Sequence, residues 1–199
     1  MDITMYRKQM KFQKLICFLL LVASALVFVY SLGLSTDLHD SLKNTMRDDY
    51  DHHITDVYGA WIYYDIQPFN HNLTTAAIIL ILVSVVLFVF NNHSRRKYYL
   101  ANYITTGLSS AANIGISVWA IINIMSFREQ YVTTVDFEAL KIYCEEWNSY
   151  YTDSTFWFDI SFVVFGILIV FTALNIFNAI WKFKLMKEEA RLIEEGLEG

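Results

Sequence analysis

What the sequence lacks narrows its function more than any motif it holds. It has no glycine-rich phosphate loop, no Gly-x-Ser-x-Gly elbow, no kinase signature, no His-Glu-x-x-His and no Cys-x-x-Cys. The recurrent frameworks for phosphoryl transfer, acyl transfer and structural zinc are therefore missing, and the chain is expected not to be an enzyme. Its basic residues gather beside long apolar runs, where they face lipid headgroups, so no patch suits nucleic acid. Cysteine is scarce: Cys17 lies in an apolar run and Cys144 in a polar segment. The topology derived next sets them on opposite sides of a membrane, where they cannot pair within one chain. An outer face without an internal disulfide favours a bacterial inner membrane over a metazoan cell surface.

With one proline and seven glycines, the 55% hydrophobic content is carried in long apolar runs. Four runs reach the ~20 residues that cross a ~30 Å hydrocarbon core, and only a helix satisfies the backbone of such a segment. The expected fold is an all-α integral membrane protein with transmembrane helices over residues 15–34, 73–92, 99–126 and 156–181. The first run follows a basic flank and carries Ala23-Ser24-Ala25, but it is about twice as long as a signal-peptide core and reads as a retained helix. Residues 1–14, 93–98 and 182–199 hold eleven lysines and arginines, against four in residues 35–72 and 127–155. The positive-inside rule then sets both termini in the cytoplasm of a multi-pass plasma-membrane protein.

The two outer segments, 35–72 and 127–155, are acidic. In residues 36–61, Leu38, Leu42, Met46, Tyr50, Ile54, Val57 and Trp61 recur mostly every four positions, predicting an amphipathic helix capped by Ser35 or Thr36. Phe137, Leu140, Cys144, Trp147 and Tyr151 predict a second over 134–151. Pro68 is expected to open the second membrane helix. The first outer segment also contains RDDYDHHITD, where a helix would align Asp49, His53 and Asp56 at i, i+4 and i+7. Imidazole nitrogen with carboxylate oxygen is an acceptable set for zinc or a similar divalent ion. The same residues also suit the solvated side of a docking helix, and the apolar periodicity is the stronger signal. No cofactor is therefore expected, with a divalent metal, or a pH response through the histidines, as alternatives.

The third run is the most polar. Gly107, Ala111 and Gly115 repeat every four residues, a small-xxx-small spacing that lets helix backbones approach. Asn102, Thr106, Ser109, Asn113 and Ser117 form an adjoining stripe, and Asn175 and Asn178 in the fourth helix are expected near its Asn102 end, with Asn91 close by. Such a stripe either lines a solute or ion path or joins helices by hydrogen bonds. The runs hold no Asp, Glu, Lys, Arg or His besides Asp159, and coupled transport usually needs one, so packing is favoured.

The tail over 182–199 continues as a helix with an apolar stripe of Met186, Ala190, Ile193 and Leu197, a surface for a partner. The two halves share one layout, as a parallel duplication would. In outline the topology resembles that of claudins and tetraspanins, without the extracellular cysteine pattern of either, so the resemblance implies no function. The expected function is an accessory or assembly subunit of a larger membrane complex such as a transporter or channel. The expected partners are the lipid bilayer and a protein bound through the third helix, the outer helices or the tail. The alternatives are a homo-oligomeric transporter or channel lined by the third-helix stripe, and an extracellular metal or pH sensor.

Overall fold

A computed structural model describes residues 3–46, 55–92 and 99–196. These residues form five α-helices: α1 (Ile3–Leu42), α2 (Ile62–Asn92), α3 (Tyr99–Thr134), α4 (Phe137–Trp147) and α5 (Phe156–Glu194). All but α4 are long and apolar enough to cross a membrane. Among the described residues there is no β-strand, only an isolated bridge between Met46 and Thr55.

The four long helices match the four apolar runs, but each extends past its run. In α1 the buried positions Leu20, Ala23, Val27, Tyr30, Leu34, Leu38 and Leu42 follow one another at steps of three and four, so Leu38 and Leu42 prolong one stripe. Of the separate amphipathic helix predicted over 36–61, the described residues form no part, and residues 47–54 lie outside the described residues. Residues 36–42 are the last turns of α1, Lys43–Thr45 are a 3-10 turn, and residues 55–61 are bridge and turn. Thr36, predicted to cap a new helix, instead donates from Oγ1 to the Leu32 carbonyl at 2.9 Å. This bond back to residue i−4 belongs to a helix interior. Pro68 does not open α2 either but lies inside it. The turn from Val57 to Trp61 starts the helix first, through Ala60 N–H to the Val57 carbonyl and Ile62 N–H to the Gly59 carbonyl.

The helix predicted over 134–151 forms over a shorter range, as α4. Asp136 accepts from the Ala139 N–H at 3.0 Å, and Asn148 closes the helix in the left-handed region with φ 48°. Leu140 and Cys144 are buried, whereas Trp147 is 66% exposed, so the apolar stripe is narrower than its sequence period. Asp136→Ala should cost ~1 kcal/mol, measurable as a lower midpoint of denaturant unfolding in micelles.

The chain divides into two compact units. The first holds Met1–Ala25, Ile79–Gly115 and Ile167–Gly199; the second holds Leu26–Ile78 and Ile116–Gly166. The second unit is built on aromatic contacts. Tyr30 meets Phe165 edge-on at 5.9 Å, and Phe69 meets Trp119 at 5.1 Å and Phe127 at 5.5 Å. Its loops are tied by backbone groups: Asp56 N–H donates to the Thr45 carbonyl at 2.8 Å, and Asp136 N–H to the Tyr58 carbonyl at 3.0 Å. Tyr143 Oη donates to the Asn44 carbonyl at 2.7 Å. Asp159, the one acid in the predicted spans, accepts from Arg128 Nε at 2.7 Å and Thr155 Oγ1 at 2.6 Å.

Candidate functional site: a buried polar cluster in the first unit

The first unit contains an unusual density of buried amides. On α1, Gln9 and Gln13 stand one turn apart and are both buried. Gln9 Nε2 donates to Gln13 Oε1 at 2.9 Å and to Asn178 Oδ1 of α5 at 3.0 Å. Gln13 Nε2 donates to the Asn91 carbonyl of α2 at 2.9 Å, and Asn91 Nδ2 to Cys17 Sγ at 3.2 Å. Asn102 of α3, with its amide oriented to suit its neighbours, donates to the Phe90 carbonyl at 2.9 Å and accepts from Lys182 Nζ at 2.8 Å. Residues of all four long helices thus line one small polar cavity. Amide side chains suit this role because each both donates and accepts, so a chain of them can close in a medium that offers no water.

Lys182 is the cation of the cluster and only 5% exposed. The charge pattern counts it among the residues flanking a membrane helix, but its spacing from Asn175 and Asn178, at i+7 and i+4, sets it on their face. The residues between Gln13, Asn91, Thr106, Asn178 and Lys182 enclose about 10 Å³, room for about one water. This volume admits no solute path as it stands.

Further along α3, Asn113 Nδ2 donates to Thr172 Oγ1 of α5 at 2.9 Å, with both side chains fully buried. Thr172 Oγ1 in turn donates to the Leu168 carbonyl at 2.7 Å. Ser109 and Ser117 are also fully buried, and their hydroxyls have no protein partner among the described residues. Asn175 Nδ2 is likewise unpartnered, though the residue is buried. A double-mutant cycle of Asn113→Ala and Thr172→Val should return a coupling of about 0.6–2 kcal/mol, read from unfolding midpoints.

The small-residue stripe lies on the other side of α3. Gly107, Ala111 and Gly115 are exposed, and a methyl group added at Gly107 or Gly115 would meet no atom within 4 Å. Exposed Ile104 and Leu108 extend this face. The sequence joins both stripes in one packing helix. In the structure the polar stripe faces the chain's own helices, and the small stripe has no neighbour among the described residues.

Of the proposed metal ligands, only Asp56 falls within the described residues. Asp49 and His53 lie outside the described residues, and Asp56 is set by its backbone bond to Thr45. Among the described residues no three histidine, cysteine or acidic side chains cluster closely enough to hold a metal ion. Gln9, Gln13 and Lys182 in the cluster, and Thr172 opposite Asn113, are the buried polar residues that sequence reading misses. The signal for the first two was their i, i+4 spacing, which continues to Cys17. Comparison with protein-family models, curated proteins and solved structures finds no match to this chain.

Proposed function

We propose that this chain is a non-enzymatic subunit of a larger membrane complex such as a transporter or channel. In this reading it sits in a plasma membrane, of bacterial inner-membrane type, with both termini in the cytoplasm, and docks through the open face of α3. One observation carries the proposal: α3 buries its polar stripe within its own chain, and no described residue covers Gly107, Ala111 and Gly115. Lipid-exposed helices gain nothing from glycine, which costs ~1 kcal/mol relative to alanine in a helix. At a helix–helix contact the same residues let backbones approach and gain van der Waals contact. A pore lined by the polar stripe is less favoured, because Asn102, Thr106, Ser109 and Asn113 are buried and the enclosed volume beside Asn102 and Thr106 fits about one water.

Purification from native membranes tests the docking surface. The wild-type chain is expected to carry a stoichiometric second chain, and Gly107→Ile with Gly115→Ile to lose it while melting as the wild type does. A lone monomer in both cases would remove the proposal. Orientation is tested separately by a membrane-impermeant maleimide on intact cells. Glu138→Cys should label at once and Glu195→Cys only after lysis; the reverse order would invert the topology.

A further inference from the structure

The second unit carries a cleft that neither the polar cluster nor the α3 face explains. Its volume is about 460 Å³, within the range of roughly 300–1,000 Å³ typical of small-molecule sites. One wall is a single face of α1: Val29, Leu32, Gly33, Thr36, Asp37 and Asp40. Tyr150 and Trp157 form the other wall. The α1 residues run in order of polarity. Val29 and Leu32 are exposed and apolar, and two carboxylates follow within three turns. At 1.5 Å rise per residue, Leu32 and Asp40 stand about 12 Å apart along the axis.

Gly33 shapes the cleft. A Cβ at this position would lie 2.1 Å from the Trp157 ring, so the indole packs directly on the bare backbone of α1. Above it, Tyr150 Oη donates to Asp37 Oδ1 at 3.5 Å, and Asp40 Oδ1 lies 3.1 Å from His39 Nδ1. Thr36 spends its hydroxyl on the Leu32 carbonyl. No lysine or arginine lines the cleft.

We infer that this cleft binds an amphiphile with an organic ammonium headgroup and a hydrocarbon tail. The carboxylates supply charge complementary to an ammonium, and the two aromatic rings add cation–π attraction for such a group at close range. Val29 and Leu32 receive the tail. A bare metal ion is a poor occupant, because indole and aliphatic groups offer it no ligand. A zwitterionic phospholipid is also a poor one, since its phosphate would meet two carboxylates and no cation. The order of apolar, aromatic and acidic surface fits a net positive head on a tail.

Dodecyltrimethylammonium, titrated calorimetrically into the full chain in maltoside micelles, tests this. Saturable binding near one per chain is expected, weakened about tenfold or more by Asp40→Asn, by Asp37→Asn and by Trp157→Leu. Dodecylphosphocholine should bind more weakly, as should tetramethylammonium, which lacks the tail. Asp40 is exposed, so Asp40→Asn decides the matter if another variant fails to fold. Non-saturating uptake that the three substitutions leave unchanged would reflect micelle partitioning and overturn the site. Tetramethylammonium binding as tightly as the long-chain compound would overturn the amphiphile assignment.

Discussion

Tyr131→Ala is expected to destabilise the chain by about 3–5 kcal/mol, seen as a large fall in the midpoint of denaturant unfolding in micelles. Tyr131 is 1% exposed near the end of α3 and is among the largest fully buried side chains of the second unit. Its ring meets Phe137 of α4 at 5.1 Å and Phe158 of α5 at 5.4 Å. Its hydroxyl donates to the Thr152 carbonyl at 3.2 Å, in the segment joining α4 to α5. One side chain therefore fastens three elements, and truncation leaves a cavity among aromatic rings that are too rigid to close it. Tyr131→Phe separates the contributions. It keeps the ring contacts and removes one hydrogen bond, so its cost should be about 0.5–1.5 kcal/mol. Tyr131→Ala should also speed proteolysis between residues 148 and 155. If the two substitutions cost the same, the ring contacts contribute little and the account of this core is wrong.

The parts of this fold that the sequence reveals are those set by a single strong physical term. Four apolar runs of membrane length, charged only at Asp159, leave no alternative to helices, and four long helices appear. Period alone, however, does not say where a helix stops. Leu38 and Leu42 have the spacing of a new amphipathic helix, and that spacing is the same as the continuation of α1; only the bond from Thr36 to Leu32 distinguishes them. Charge alone does not say where a lysine goes. Lys182 fits the basic flank that the positive-inside rule counts, yet it is drawn into the amide cluster because Asn102 on a different helix offers it an acceptor. The cleft beside Trp157 is hidden for a related reason. Its α1 face is legible as Val29, Leu32, Gly33, Thr36, Asp37 and Asp40 at helical spacing, but the opposing aromatic wall comes from residues more than a hundred positions away. Small residues at this spacing on α3 predict a packing surface; whether the surface they meet belongs to the same chain is a matter of tertiary structure, which spacing does not encode.

Glycine in this chain has two opposite physical meanings, and substitution should separate them. Gly59 has φ +81°, and a Cβ there would lie 2.3 Å from the Thr134 oxygen, 2.5 Å from its carbonyl carbon and 2.8 Å from Val135 Cα. All three are backbone atoms, so no rotamer change can relieve the overlap. Overpacking of this kind costs about 1–3 kcal/mol, and the left-handed conformation adds about 1–3 kcal/mol for a side chain that disfavours it. Gly59→Val should therefore destabilise by several kcal/mol and disturb the start of α2, because the Gly59 carbonyl accepts the Ile62 N–H at 3.2 Å. Gly59→Ala should cost nearly as much, since the first carbon makes the clash. Gly107→Ala and Gly115→Ala should do the reverse. Both positions are helical and open, so the isolated chain should be unharmed or stabilised by up to ~1 kcal/mol through helix propensity. If the open face docks a partner helix, a bulkier residue there should weaken co-purification without lowering the melting point. Loss of stability at Gly59 without loss at Gly107 would separate a glycine demanded by the fold from one that the fold leaves free for assembly.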